Sequence, residues 1–356
     1  MLSHPRLSII VPVHDAAAHL ARALAALQAS SLARSEWELI VVADGCRDRS
    51  AAIAAGVADH VIELPWPPRG PAHARNVGAA HARAPLLGFV DADVCVHPDA
   101  LARMMATMAR GGADAVIGTY DDAPPAPGAV SRYRNLAHAF AHRRAAGRVS
   151  SFWAGLGAMS TARFRQLGGF DAQRYPTPSI EDVELGYRLV RAGGTIILDP
   201  ELRGTHLKAW TLRGGIRTDL LARATPWMAL LLDSARPDEG AHLGVGRHDR
   251  MTLALTGVAL GAPVLGALRG ARAEGLAVAL TAMALAIVLD APLHRFVYRR
   301  AGARVALAGI ALRFVHQLVC ALAVAGAGAS RLRRRRPREV HGTPPLEGDG
   351  RERAAW

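Results

Sequence analysis

The first 120 residues predict an α/β fold with a mainly parallel sheet covered by helices on both faces. Short apolar runs alternate with stretches of helical spacing, and polar or acidic residues recur where the runs end. A third observation appends membrane helices, because long uncharged stretches replace that alternation after residue 250.

Taken in order, Leu7–Val13 reads as a strand and Ala17–Ala29 as a helix with Leu20, Leu24 and Leu27 on its apolar face. Glu38–Val42 is a second strand, followed by a short helix over Asp48–Ala55. His60–Leu64 is a third strand, and Pro71–Ala82 a helix opened by proline. Leu86–Val90 is a buried fourth strand, Pro98–Met108 a helix and Ala115–Gly118 another strand. Asp121–Pro127 is too polar and too rich in proline to be core. Glu181-Asp182 opens an amphipathic helix through Val183, Leu185, Leu189 and Val190, and Gly193–Leu198 returns as a strand. Parallel sheets bind ligands beyond the carboxyl ends of their strands. Pro12-Val13-His14-Asp15, Asp44-Gly45 and Asp91-Ala92-Asp93 each stand at such an end.

The chain carries a formal net charge of +13 and is 51% hydrophobic, both excesses lying late. The cluster Arg331-Leu-Arg333-Arg-Arg-Arg336 directly follows an apolar region, a position that favours anionic lipid over nucleic acid. Cys46, Cys95 and Cys320 have no metal, redox or disulfide spacing, which fits a reducing compartment. The amino terminus shows no charged-then-apolar leader, so no secretory signal is expected.

These shifts divide the chain into a catalytic domain over 1–210, an interface region over 211–250, membrane helices over 251–330 and a basic tail without a fold of its own over 331–356. Leu212, Ile216, Leu220 and Leu221 interleave with Arg213, Arg217 and Arg223, as in a helix lying in a membrane interface. Met251–Leu268 and Gly275–Leu289 are free of charge, whereas Val305–Ser330 holds Arg313, His316 and Gln317 on one helical face. Four arginines in 293–304 and the basic tail both belong on the cytoplasmic side. With a cytoplasmic catalytic domain, the first two segments form a hairpin and the third lies re-entrant or in the interface; the alternative is a plain three-span arrangement, which puts the Arg-rich tail on the other side.

Two acidic pairs point to the chemistry. Displacing a nucleoside diphosphate from a sugar needs stabilised charge on the leaving group, a deprotonated acceptor hydroxyl and in-line placement. Mg2+ or Mn2+ suits the first task, with Asp93 as direct ligand and Asp91 towards the ribose or a metal-bound water. Asp182 is the candidate base, with Glu181 beside it to orient it or raise its pKa. Asp44 is placed to accept hydrogen bonds from a nucleotide base, and Gly45 lets the chain turn there. Arg75 and Asn76 open a helix, Arg75 reaching the diphosphate or bracing Asp44. His206 follows a strand and can complete the cation's coordination.

The ordered set Val11-Pro12-Val13, Val41-Val-Ala-Asp44-Gly45, Ala74-Arg75-Asn76-Val-Gly78, Phe89-Val-Asp91-Ala-Asp93, Gly168-Gly-Phe-Asp171 and Glu181-Asp182 resembles the family 2 glycosyltransferases of the GT-A fold over roughly residues 5–210. The resemblance implies a metal-dependent, inverting transfer in which Asp44 reads the base, Asp91 with Asp93 holds ribose and metal, and Asp182 is the base. Three departures matter. Ala43 stands where a first aspartate is frequent, and His14-Asp15 where an aromatic or basic residue and then Asn are frequent. His206-Leu-Lys-Ala-Trp210 keeps only the tryptophan and a displaced basic residue of the Q-x-x-R-W motif of processive synthases. Trp153-Ala-Gly155 lies where related enzymes line the acceptor pocket, and Trp210 is counted with it. The expectation is a membrane-anchored bacterial enzyme moving sugar from a nucleotide-diphospho-sugar to a lipid or lipid-linked hydroxyl at the cytoplasmic membrane face. Its competitors are a processive polysaccharide synthase and a non-catalytic nucleotide-sugar-binding membrane protein.

Overall fold

The computed structural model describes residues 4–233 and 246–335. Part of the expected linker, 234–245, and the tail residues 336–356 lie outside them. Four strands form as their apolar runs predict: β1 (Leu7–Val13), β2 (Trp37–Asp44), β3 (His60–Leu64) and β4 (Leu86–Val90). They lie in the order β3-β2-β1-β4, all parallel. β1, β2 and β4 are buried on both faces, which is why their sequences are continuous rather than alternating. Helices α1 (Ala17–Gln28) and α2 (Ser50–Ala55) belong to one face, where Leu20, Leu24, Leu27 and Ala54 meet Ile9, Val11, Leu39 and Val41. Helix α3 (Pro71–His81) covers the other, its Ala72, Ala74 and Ala79 packing with Ile10, Ile40, Val42 and Phe89.

Beyond β4 the sheet is mixed. In chain order come β5 (Val94–Val96), α4 (Ala100–Ala109), β6 (Ala115–Tyr120), α5 (Ala129–Arg144), β7 (Gly147–Val149), β8 (Leu156–Ser160), α6 (Thr161–Gln166), α7 (Glu181–Arg191) and β9 (Ile196–His206). β8 runs antiparallel between β4 and β6, while β9 is parallel to β6 and antiparallel to β5 and β7. Three-residue strands carry no measurable period, and Leu156-Gly-Ala-Met-Ser160 is weak in β-formers. β9 continues past Pro200 because its register against β6 shifts there, from Ile117↔Leu198 to Thr119↔Arg203. That continuation sets His206 opposite Val94, next to Asp93.

The C-terminal region opens with α8 (Leu212–Arg217), a wide turn of helix over Thr218–Ala224 and α9 (Thr225–Asp233). Three further helices are α10 (Arg247–Leu268), α11 (Arg272–Leu289) and α12 (Ala291–Arg335), each with a stretch long and apolar enough to cross a membrane. Gly302 interrupts α12 with φ 80° and ψ 176°. Arg313 Nε donates to Asp290 Oδ2 at 2.9 Å, yet a straight helix would set 23 residues roughly 34 Å apart, so the chain reverses at Gly302. Before the break, Leu293 and Val297 pack on Tyr133 and Leu136 of α5. After it, Arg313 pairs with Asp249 and Gln317 with Thr252, so α12 runs parallel to α10. Arg313, His316 and Gln317 all bond to protein, His316 through Asp219, as expected for polar groups on an apolar helix. The polar face of the third segment docks it along α10.

Candidate active site

One guanidinium ties the two acidic pairs together. Arg75, in the second turn of α3, is 4% exposed. Its Nη2 donates to Asp91 Oδ1 at 2.7 Å and its Nη1 to Glu181 Oε1 at 2.9 Å. The Phe170 ring, 5.5 Å from its Cζ, packs the same guanidinium in place. Asp91 lies just past β4, where its N–H donates to the Gly155 carbonyl at 3.1 Å. The preceding Ala154 N–H donates to Asp182 Oδ2 at 3.1 Å, and the Val183 N–H to Oδ1 at 2.8 Å. The end of β4, the loop before β8 and the start of α7 therefore meet at one place, although they are distant in sequence.

The electrostatics divide the carboxylates. Burial works against the Arg75 charge, but Asp91, Glu181 and Asp182 outweigh it and the guanidinium stays protonated. Burial raises Asp91, Arg75 pulls it down and Asp93 pushes it up, leaving it raised. Burial and then the neighbouring Glu181 charge push Asp182 up to about 7, where a carboxylate can accept a proton near neutrality. The surrounding walls are uncharged there: burial drives the Tyr120 phenol up, His138 down and His142 down to about 4.

Asp93 meets His206 at the end of β9, with Oδ2 and Nε2 3.5 Å apart. His206 Nδ1–H donates to Asn135 Oδ1 at 2.7 Å, which aims Nε2 at the carboxylate side. Tyr120 stacks on the imidazole at 4.2 Å between centroids, planes 5° apart. A carboxylate oxygen and an imidazole nitrogen facing each other suit a divalent cation, and an amide holding the distal nitrogen is the usual support of a metal histidine. Mg2+ or Mn2+ fits this donor set. Asn135 and Tyr120 were not singled out from sequence. The signal was present: Ser131, Asn135, His138 and His142 recur at helical spacing on α5, within a stretch left without a fold assignment.

At the nucleotide end Asn76 and Arg75 both bond to protein groups. Asn76 donates through Nδ2 to the Phe170 carbonyl at 2.7 Å and accepts from the Phe170 N–H at 2.9 Å. Both ends of its amide bond to Phe170, which holds the Gly168–Asp171 loop. Arg75 braces Asp91 and Glu181 rather than Asp44. Asp44, 2% exposed, instead accepts from the N–H groups of Arg69 at 2.9 Å and Gly70 at 2.7 Å, which fixes the loop after β3. Gly45 is required beside it, since at φ +59° an added Cβ would stand 2.9 Å from Pro68 N. Pro12 and Val13 end β1, and Ala92 is buried between its aspartates. His14 Nδ1–H donates to the Asp44 carbonyl at 2.8 Å. His14, Asp15 and Cys46 also cluster, but Asp15 is occupied by the N–H groups of Arg47 and Asp48, and burial raises the Cys46 thiol. A protonated thiol is a poor cation ligand.

Trp153 packs edge-on against Tyr120 at 4.7 Å and beside His138 at 4.9 Å, and Gly155 leaves room for its indole. Trp210 is flanked by Arg134 at 4.4 Å, Lys208 at 4.6 Å and Arg223 at 5.9 Å. Arg134 is neutralised by Asp219, bonded at 2.7 and 2.8 Å.

A sheet that is parallel through β4 and mixed beyond it, with paired carboxylates after β4 and another pair opening a later helix, is an arrangement of the GT-A type. Residues 8–167 match the model of Glycosyl transferase family 2. Validoxylamine A glucosyltransferase of Streptomyces hygroscopicus subsp. jinggangensis is 29% identical over 222 residues, 52% of this chain and 51% of that protein. Succinoglycan biosynthesis protein ExoU of Rhizobium meliloti is 37% identical over 103 residues, 27% of this chain and 29% of that one. The chain thus aligns with about half the length, or less, of these relatives. Among solved structures, mannosyltransferase PcManGT from Pyrobaculum calidifontis, in complex with GDP-Man and Mn2+, superposes with TM-score 0.55 at 17% identity, covering 94% of this chain and 88% of that one.

Proposed function

We propose that this glycosyltransferase moves one sugar, with inversion, from a nucleotide-diphospho-sugar to a hydroxyl of a lipid or lipid-linked acceptor at the cytoplasmic face of a bacterial membrane. The observation that carries the proposal is the Arg75 bridge, which unites Asp91 with Glu181, the chain neighbours of the Asp93–His206 pair and of Asp182. Asp93, His206 and Asp91 would hold Mg2+ or Mn2+; the cation supplies neutralisation of the diphosphate's charge when bound. The Mn2+ in the complexed mannosyltransferase supports that choice. Asp182 takes the acceptor proton, kept in position by the Ala154 and Val183 N–H groups. Arg75 stays charged and holds Asp91 and Glu181 apart from that proton transfer. A base acting in a single displacement reverses the configuration at the sugar carbon.

The acceptor class rests on the C-terminal region. Leu212 and Leu221 on the helix that also carries Arg223 are 48% and 59% exposed, an apolar stripe continuous in chain with three helices of spanning length. Lys208 and Arg223 over Trp210 offer positive charge on the same side. The experiment is a screen of nucleotide-sugars against a total lipid extract with the detergent-solubilised protein. A lipid product bearing one sugar is expected. Long polymers would establish a processive synthase instead, and nucleotide binding without turnover a sensor.

A further inference from the structure

We propose that Trp66 is the stacking wall for the nucleobase of the donor, an inference resting on the transferase reading above. Among the described residues of 4–210, Trp66 is the one large hydrophobic side chain left open to solvent, at 58% exposure. Every other exposed large hydrophobic begins at Leu212, in the helices assigned to the membrane. Leaving an indole in water forfeits more apolar burial than any other side chain, so an isolated one on a closed domain asks for a flat partner.

Its place in the fold selects that partner. Trp66 follows the carboxyl end of β3, in the row formed by Asp44 at the end of β2 and His14 after β1. The His14 ring centroid lies 6.4 Å from the indole with the planes 30° apart, and the Arg47 guanidinium lies 5.0 Å from the indole centroid. The supports of both neighbours are anchored, that of Arg47 through its backbone N–H to Asp15 Oδ1 at 2.7 Å. His14 is tied to the Asp44 carbonyl, and the Asp44 carboxylate clamps Arg69 and Gly70 of the loop that carries Trp66. Two rings and a cation on clamped supports, past the ends of adjacent parallel strands, form a slot for a planar, polarisable, hydrogen-bonding ligand. In a nucleotide-sugar that ligand is the base. The arrangement also answers the missing aspartate at Ala43, since stacking recovers affinity that a second carboxylate does not supply.

The test is calorimetry of the full-length protein in detergent, titrated with UDP, GDP, ADP, CDP and dTDP in Mn2+, with inorganic diphosphate as the ligand lacking a base. For the tightest nucleotide, Trp66→Ala weakens binding roughly 5- to 150-fold, the span measured for losing one base–aromatic stack. Trp66→Phe retains most of the affinity, and inorganic diphosphate binds all three proteins alike. Unchanged nucleotide affinity in Trp66→Ala overturns the proposal while leaving the transferase reading intact. An equal loss for inorganic diphosphate also overturns it, showing that Trp66 only shapes the loop. If no nucleoside diphosphate binds the unaltered protein, the transferase reading falls with it.

Discussion

Asp182 is the residue on which the chemistry turns, and its environment makes a pH signature. With the acid raised to about 7 and the Tyr120, His138 and His142 walls uncharged there, transfer should rise with pH through about 7 and then level. Glu181→Gln removes the second-largest cause of that rise, so the limb should move to lower pH; a limb that stays put dissociates Glu181 from the base. Asp182→Asn should lower kcat roughly 10²- to 10⁴-fold, the usual contribution of a general base, without changing the thermal midpoint downward. The sign for stability is opposite to the sign for activity. Between 3.8, the ordinary value, and about 7 the folded protein binds a proton that the unfolded chain has released, so stability falls as pH rises through that window. Asp182→Asn should remove this slope from a denaturation series.

Elements place what residues supply. α3 enters through Pro71 and buries Arg75, which then satisfies one carboxylate after β4 and one at the start of α7. Arg75→Met leaves Glu181 buried without its partner, and losing one side of a buried pair costs about 3–5 kcal/mol. Chemical denaturation in detergent should register that loss, with transfer abolished; an unchanged midpoint would mean the bridge is not structural. α5 does the same for the cation site through Asn135. Asn135→Ala should weaken Mn2+ binding roughly 10- to 100-fold in calorimetry, the usual effect of removing a metal histidine's support, and leave nucleoside binding without metal unaltered. Equal Mn2+ affinity would detach His206 from the cation.

At the scale of the whole molecule, the sheet domain and the apolar helices pack against each other. Leu293 and Val297 sit on α5, and Asp219 links Arg134 of the catalytic domain to His316 of α12. The parallel register of α12 with α10 supports three crossings. From Arg313 to Arg331 is about 27 Å of helix, comparable to a bilayer core. The positive-inside rule pulls the other way, because the arginines after Ser330 would then lie opposite the catalytic domain. We expect the register to prevail: a tag placed after Trp356 should be accessible only from the side away from the catalytic domain. A tag accessible from the catalytic side restores the two-span hairpin. The same membranes should retain the protein through alkaline carbonate.

Strand and helix positions in the first half were legible because buried parallel strands and amphipathic helices each write their own period into the chain. Leu7–Val13, His60–Leu64 and Leu86–Val90 end where their apolar runs end. The acidic pairs were legible as chemistry for the same local reason: carboxylates at strand ends and helix starts are visible one segment at a time. What a linear reading could not reach was partnership across segments. That Arg75 faces Asp91 and Glu181, that Asn76 belongs to Phe170, that Asn135 steers His206 and that Trp66 stands beside His14 follow from strand register and helix docking. Those are set by burial of the whole sheet, a quantity summed over distant residues, and so only the folded chain decides them.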